Sequence, residues 1–388
     1  MKPRASLLNN PQARSAVFQA ALFLVLGLLL YAGFINLSDK LAKKPGLIDP
    51  GFWNQLAGFD ISQSFLPFAA GVSTYGQVFF VGLLNTLAIS AIGIVLATLL
   101  GFAIGVARLS GNWLVSKLAT IYVEGLRNIP LLLQLLFWYN AVLKPLPLPR
   151  DSILVPGGGA LNNRGLFLPA PVLGPGGALI FAAFALGVVA AIGFAVWAKR
   201  RQAATGAQAP VALVSLALVL GLPLLAFFAA GQPVSLDYPK LKGFNFIGGL
   251  QIFPEFAALL LGLVLYTAAF IAEMVRAGIL SVSKGQSEAA AALGLRTSPA
   301  MRLVVIPQAL RVITPPLTSQ YLNLTKNSSL GSFIAFPELA NVFMGSTRNV
   351  TGAAIPIVAM TMAVYLAISL ITSLGMNIYN ARMALAER

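Results

Sequence analysis

The sequence predicts an all-α integral membrane protein with about eight transmembrane helices. Composition is the first observation behind this prediction: 58% of the 388 residues are hydrophobic and only 10% are charged, whereas about a quarter of the residues of a soluble domain are charged. Apolar runs of spanning length are the second observation, and the placement of the basic residues is the third. Because so few polar side chains cannot cover a water-facing surface, we expect the apolar ones to face lipid.

A spanning helix needs about 20 mostly apolar residues, because a rise of about 1.5 Å per residue must cover about 30 Å of hydrocarbon. The segments that meet this requirement are residues 16–35, 78–107, 118–143, 178–198, 211–230, 254–280, 301–324 and 353–379. The first segment follows basic residues, as a secretory signal does, but it is longer than a signal core and no small-residue cleavage site follows it. We therefore interpret it as a retained anchor.

Lys and Arg are distributed unevenly over the loops between these spans. If the amino terminus lies inside, the cytoplasmic segments hold more basic residues than the external ones, as the positive-inside rule requires. This orientation puts both termini in the cytoplasm. It also accounts for the formal charge of +15 without nucleic acid as a partner, since most of the basic residues lie on the cytoplasmic side of the bilayer.

Two residue types are absent from the sequence. It contains neither cysteine nor histidine, which excludes disulfides, thiolate or imidazole metal ligands and a Ser-His-Asp triad. It also lacks the G-x-x-x-x-G-K-[ST] loop that cradles nucleotide phosphates. We therefore expect no catalytic residue, cofactor or metal in this chain, and no enzymatic activity.

The spans group into four regions. Residues 1–77 hold the anchor and an external segment, residues 78–143 the first part of a core, and residues 254–388 its second part. The intervening residues 144–253 are predicted to be an insertion. Its first stretch, up to residue 177, is rich in Pro and Gly and predicts an irregular external loop, and a two-helix hairpin follows.

One cytoplasmic loop, residues 281–299, carries helix signals of its own. Ser283 and Gln286 have the spacing of a capping box, and Glu288 lies near the positive end of the helix dipole. Gly294 follows the alanine run where a left-handed cap is needed. The loop is predicted to form a short helix that another protein can approach closely, although an ordinary alanine-rich connector would show the same helix signals.

This loop resembles the EAA signature of the inner-membrane permease subunits of ABC importers. Glu288, Ala289 and Ala290 are followed by Gly294 and then by Pro307. The residue before that proline is isoleucine, where the signature usually has leucine. The substitution preserves an apolar side chain.

The resemblance extends well beyond the loop. Further matches to the polar amino-acid branch of these permeases lie at residues 85–87, 122–130, 266–276, 306–311, 315–316 and 326–330. The external residues 57–64, the chain length and the inserted hairpin resemble the general L-amino-acid permease subgroup. The match is strong over residues 78–143 and from residue 254 onward.

The resemblance implies a type I ABC importer permease core with an extra N-terminal helix and an inserted helical hairpin, in the bacterial inner membrane. Such a chain would move L-amino acids, polar or acidic ones and their amides, by alternating access. The residues implied to couple it to an ATPase are Glu288, Ala289, Ala290, Gly294 and Leu295. The implied partners are a related second permease subunit in a heterodimer, a cytoplasmic ATP-binding subunit dimer that uses ATP and Mg, a periplasmic amino-acid-binding protein, the amino-acid substrate and the lipid bilayer.

Ionisable residues inside spans are costly, so they are candidates for function. Glu124 and Arg127, and likewise Glu273 and Arg276, are three residues apart and can meet on one helix face. We interpret them as structural ion pairs that help to close an inner gate. The alternative is that Arg127 or Glu273 faces the substrate path.

Prolines interrupt the span at residues 301–324 and free backbone carbonyls, as in helices that line transport sites. Lys326, Asn327 and Ser328 follow this span. A substrate amino acid needs a cation and hydroxyls for its carboxylate, so these three residues are substrate-path candidates. The alternative is that Lys326 only extends toward the lipid headgroups.

An ion-gradient-driven secondary carrier for small polar solutes is the main alternative function, because broken helices and embedded carboxylates suit it. Such a carrier has no use for a capped, alanine-rich loop. An integral membrane enzyme is a third class, and the absence of His and Cys disfavours it.

Overall fold

A computed structural model describes residues 11–43, 49–231 and 234–383. This part of the chain is mostly helical, and it divides into two compact units. The first unit comprises Met1–Leu135 and Leu259–Arg388, and the second comprises Leu136–Ala258. All residues that the sequence predicts for a functional site belong to the first unit.

The helices account for most of the described chain. In chain order they are α1 (Pro11–Lys43), α2 (Tyr75–Ala107), α3 (Trp113–Asn128), α4 (Leu131–Leu136), α5 (Gly177–Thr205), α6 (Val211–Ala229), α7 (Pro254–Leu280), α8 (Lys284–Ala292), α9 (Thr297–Ala300), α10 (Ile306–Asn327), α11 (Arg348–Thr351) and α12 (Ala354–Met383). Short 3₁₀ helices occupy Pro50–Asn54, Pro149–Asp151 and Ser328–Ile334, and π-helical turns occupy Phe137–Leu143, Met301–Val305 and Ala340–Thr347.

Six helices of the described residues are long and apolar enough to cross a bilayer, namely α1, α2, α5, α6, α7 and α12. They correspond to six of the predicted spans, and α7 has the predicted bounds. The two other predicted spans are not single helices. Residues 118–143 are divided among α3, α4 and a π-helical turn, with the break at Pro130, and residues 301–324 begin with a π-helical turn before α10. Pro130 lacks the backbone donor that would continue α3.

Helix α2 packs closely against α7 at two glycines of a row in which small residues recur at every fourth position. The buried residues of this row are Gly93, Ala97, Gly101 and Gly105; Gly93 faces Leu324 of α10, whereas Gly101 and Gly105 face α7. At Gly101 an added Cβ would lie 2.6 Å from the Ile271 Cβ, and at Gly105 it would lie 2.7 Å from the Ala272 carbonyl oxygen. The missing side chains therefore let the backbone of α2 approach α7, as in other tightly packed membrane helices.

An aromatic cluster packs at the amino-terminal end of α2. Thr74 caps this end in a capping box. One turn further, the Phe79 ring centroid lies 5.4 Å from that of Trp53 and 5.1 Å from that of Phe343. Phe343 is fully buried, so the cluster fixes the Ala340–Thr347 turn against α2.

The second unit contains all the described strands. They are β1 (Ile153–Val155), β2 (Gly159–Asn162), β3 (Gly165–Leu168), β4 (Ala170–Leu173), β5 (Val234–Asp237), β6 (Lys240–Lys242), β7 (Asn245–Ile247) and β8 (Leu250–Ile252). Antiparallel pairing forms one four-stranded sheet in the order β1-β2-β3-β8 and two ribbons, β4-β5 and β6-β7.

The predicted irregular loop up to residue 177 is therefore wrong. The segment forms short strands instead, and two of its glycines, Gly157 and Gly158, make the turn between β1 and β2 with φ of 90° and 85°. The two helices that follow form the predicted hairpin. At Gly187 of α5 an added Cβ would lie 2.5 Å from the Leu218 carbonyl oxygen of α6, so these helices are in backbone contact.

Candidate functional site

The loop between α7 and α9 contains the short helix α8. Ser283 occupies its N-cap position, but the Ser283 side chain makes no capping hydrogen bond, so the predicted capping box is wrong. Gly294 directly follows the C-cap residue Leu293 and has φ of 79°. This confirms the predicted left-handed cap, a conformation that glycine adopts without steric cost.

One face of α8 packs on the protein and the other faces outward. Ala290 is buried, and Leu295 lines a cavity of about 180 Å³ beside the Met301–Val305 turn. The exposed residues between Glu288 and Leu295 are Glu288, Ala289, Ala291, Ala292, Leu293 and Gly294. Leu293, which the sequence analysis did not single out, is 82% exposed. This face combines a carboxylate, small residues and one large apolar side chain, and a complementary protein surface can bind it.

Glu273 is the centre of a network of five ionisable side chains, which lie on α3, on α7 and at the residue that follows α2. The Glu273 carboxylate accepts a hydrogen bond from Arg108 and another, at 2.7 Å, from Arg276 Nη2. Arg127 Nη1 lies 3.7 Å from the same carboxylate, and Glu124 lies 3.7 Å from Arg108 Nη2. The network therefore ties the carboxyl end of α2 to α3 and α7.

The predicted pairing is only half right. Glu273 and Arg276 form the expected ion pair. Among the described residues Glu124 pairs with Arg108 and Arg127 pairs with Glu273, so the predicted pair of Glu124 with Arg127 is wrong. Arg108, whose side chain is 9% exposed, escaped the sequence analysis because a basic residue at the end of a span is also a marker of orientation.

Glu273→Gln is expected to lower the free energy of unfolding by about 2 kcal/mol, because three guanidinium groups lose their shared charged acceptor. Circular dichroism during unfolding in mixed detergent micelles measures the change. Glu124→Gln is the control, since its side chain is 55% exposed and an exposed pair contributes less than about 1 kcal/mol. Equal effects of the two substitutions would contradict the central position of Glu273.

A cavity of about 410 Å³ borders the carboxyl end of α10. Residues that line it include Lys326, Ser329, Ala340, Met344, Thr361 and Tyr365. Lys326 supplies the charge of this lining, and Ser329, Thr361 and Tyr365 contribute hydroxyl groups to it. Among the described residues no group of three or more Asp or Glu side chains is clustered as a metal site would require.

The predicted substrate-path residues fall in two places. Lys326 is exposed and lines the cavity, whereas Asn327 and Ser328 do not line it. Ser328 is buried and its hydroxyl donates to the Thr325 carbonyl oxygen at 2.7 Å; the next residue, Ser329, faces the cavity instead. The other two candidates, Arg127 and Glu273, belong to the ion-pair network.

Glu338 is a fully buried carboxylate beside the cavity that the sequence analysis missed. Its Oε1 accepts hydrogen bonds from Ser332 Oγ and the Asn341 backbone N–H, both at 2.7 Å. Its Oε2 accepts from the Ala340 backbone N–H at 2.7 Å and from the Tyr365 hydroxyl at 2.8 Å. Burial raises the pKa of the Glu338 carboxyl, and these donors offset part of that effect.

Two polar residues of α2 hold the chain on both sides of Glu338. Asn85 Nδ2 donates to the Pro337 carbonyl oxygen at 2.7 Å, and Thr86 Oγ1 accepts from the Leu339 N–H at 3.1 Å. Both side chains are fully buried. Asn85 and Thr86, which belong to the matched residues 85–87, therefore have a structural role: they satisfy the buried backbone groups of Pro337 and Leu339.

The sequence of this chain is similar to the sequences of known proteins over nearly its whole length. A family model described as "Binding-protein-dependent transport system inner membrane component" matches residues 93–385. The chain is 48% identical to the general L-amino acid transport system permease protein AapQ of Rhizobium johnstonii, over 99% of its own length and 95% of the relative's. It is 48% identical to the putative amino-acid ABC transporter permease protein YhdX of Escherichia coli, over 98% and 96% of the two lengths.

A third relative is more distant. The chain is 41% identical to the glutamate/glutamine/aspartate/asparagine transport system permease protein BztB of Rhodobacter capsulatus, over 98% of its own length and 96% of the relative's. The family match and these near full-length identities agree with the several apolar helices of spanning length. The chain therefore belongs to the family of inner membrane components of binding-protein-dependent transport systems.

Proposed function

We propose that this chain is the transmembrane permease subunit of an ATP-driven, binding-protein-dependent importer of L-amino acids. Membership of the inner membrane component family supports the transport role. The names of the three relatives above, which match over nearly their whole length, support amino acids as the substrate class. We include polar and acidic amino acids and their amides in that class. The chain moves its substrate unchanged and catalyses no reaction.

The geometry of α8 is the observation that carries the coupling proposal. The buried Ala290 seats this helix on the protein, while Glu288 and Leu293 face outward. In the proposed assembly a cytoplasmic ATP-binding subunit dimer, which uses ATP and Mg, docks on this outward face. Because the loop joins α7 to α9 and α10, a displacement of α8 moves helices on both sides of it.

The Lys326 cavity is the proposed outer part of the substrate path. The Lys326 ammonium provides a charge-assisted partner for the substrate carboxylate. The hydroxyls of Ser329 and Thr361 donate to the Lys326 and Ile357 carbonyl oxygens, so they can serve the substrate ammonium as acceptors. Arg127 and Glu273 belong to the same path at its inner gate, where their network has to open before the substrate leaves.

The remaining subunits complete the proposed importer. A related second permease forms a heterodimer with this chain, and a periplasmic amino-acid-binding protein delivers the substrate. Both termini lie in the cytoplasm, and the protein resides in the bacterial inner membrane. The support for this orientation is the excess of Lys and Arg in the predicted cytoplasmic segments.

Co-purification of the assembled complex tests the proposal. We expect the tagged chain to retain an ATP-binding subunit in detergent, and binding protein loaded with L-glutamate to stimulate ATP hydrolysis severalfold. Glu288→Lys is expected to reduce retention of the ATP-binding subunit, because it reverses the charge of the exposed face. The proposal would be contradicted if the chain retained no ATP-binding subunit, or if the loaded binding protein did not stimulate ATP hydrolysis.

A further inference from the structure

One carboxylate holds two walls of the Lys326 cavity. Ala340 and Tyr365 both line this cavity, and both donate a hydrogen bond to Glu338 Oε2, at 2.7 Å and 2.8 Å. Tyr365 lies on α12, whereas Ala340 begins the Ala340–Thr347 turn. The separation of these walls therefore depends on Glu338.

A third part of the wall reaches the same carboxylate. The 3₁₀ helix Ser328–Ile334 contributes Ser329 to the cavity and, through Ser332 Oγ, a 2.7 Å hydrogen bond to Glu338 Oε1. This short helix directly follows α10, which ends next to Lys326. Glu338 thus connects the part of the chain that carries the cation with the two other elements that line the cavity.

Glu338 has no acceptor capacity left for a substrate. An ionised carboxylate offers about four lone-pair sites. Ser332 and Asn341 donate to Oε1, and Ala340 and Tyr365 donate to Oε2. The side chain is also fully buried, so the substrate ammonium has to find its acceptors elsewhere.

From these contacts we infer that Glu338 is a positioning residue: it sets the shape of the Lys326 cavity and, through that shape, the affinity for amino acids. The inference rests on the proposed function of the cavity as part of the substrate path. Asn85 and Thr86 hold the backbone on both sides of Glu338, so the turn cannot shift to compensate a changed side chain. Loss of the carboxylate therefore leaves buried donors without a matching acceptor.

A distance measurement tests the structural half of the inference without relying on transport. The sequence has no cysteine, so Met344→Cys with Met362→Cys places spin labels only at two residues that line the cavity. Pulsed electron paramagnetic resonance of the importer, assembled with cysteine-free partners, is expected to give one narrow distance distribution. Adding Glu338→Gln is expected to broaden it. An unchanged narrow distribution would overturn the inference.

The control is a glutamate with a similar partner in the second unit. Glu255 accepts a 2.7 Å hydrogen bond from the Tyr139 hydroxyl, so Glu255→Gln makes the same chemical change at a residue that does not line the cavity. We expect this control to leave the label distances unchanged. If Glu338→Gln fails to assemble, Tyr365→Phe removes only one hydroxyl from the same carboxylate and is expected to broaden the distribution to a smaller extent.

Uptake of radiolabelled L-glutamate into proteoliposomes tests the functional half. Glu338→Gln is expected to raise the half-saturating concentration about tenfold, and Tyr365→Phe about threefold. Because both changes act through one contact, the double variant is expected to match Glu338→Gln alone. If the half-saturating concentration of Glu338→Gln equalled that of the parent, the inference would be overturned. If the parent importer takes up no L-glutamate although Glu338→Gln broadens the label distances, the proposed function fails and the positioning role stands.

Discussion

Gly294→Val in the assembled importer is expected to lower ATP-driven amino-acid uptake by at least about tenfold. Gly294 has φ of 79° at the end of α8. A β-branched residue in this conformation costs on the order of 1–3 kcal/mol, and 1.4 kcal/mol corresponds to a factor of ten. The loop would relieve this strain by moving the end of α8, together with the exposed Leu293 and Glu288, away from the face on which the ATPase is proposed to dock.

The control for this prediction lies in the same helix. Gly285 belongs to α8 and is not among the glycines with positive φ, so Gly285→Ala adds a methyl group without this strain and raises helix propensity. We expect Gly285→Ala to retain uptake of radiolabelled substrate in proteoliposomes. Normal uptake by Gly294→Val would contradict the role of this turn in coupling.

Lys326→Gln is expected to raise the half-saturating L-glutamate concentration about tenfold to a hundredfold. A hydrogen bond to a charged group contributes about 1.5–3 kcal/mol, and Lys326 supplies the charge of the cavity lining. The length and polarity of the side chain are largely kept, so the loss of the cation is the main change. Uptake measured over a range of L-glutamate concentrations gives the value.

Lys117→Gln serves as the matched control, because it removes one positive charge from an exposed position on α3. It is expected to leave the half-saturating concentration near that of the parent. If the two lysine variants gave the same value, Lys326 would have no specific part in substrate binding, and its cavity would not belong to the substrate path.

Local patterns predicted the helices well. Pro254–Leu280 is both the predicted span and the observed α7, because an uninterrupted apolar run of that length permits few other structures in a bilayer. Gly294 was predicted as a left-handed cap from the alanine run before it, and its φ confirms this. Each of these signals, the apolar run of α7 and the alanine run before Gly294, lies within a single short stretch of sequence.

The missed features depend on residues far apart in the chain. Strand β3 pairs with β8 across the inserted hairpin, and strands of three or four residues leave too short an alternating pattern to recognise between Pro and Gly. Glu338 accepts a hydrogen bond from Tyr365, which lies 27 residues further along the chain on α12. Arg108 meets Glu273 from a different span, so no spacing rule within one helix could have paired them.

In the proposed function this chain transports amino acids only as part of an ATP-driven importer. Reconstitution into proteoliposomes, with the chain alone or with its partner permease, ATP-binding subunits and binding protein, is the decisive test. We expect uptake of radiolabelled L-glutamate only by the complete assembly, and only with ATP and Mg on the side of the ATP-binding subunits. Uptake by the chain alone, driven by a sodium or proton gradient, would rule out the importer and identify a secondary carrier.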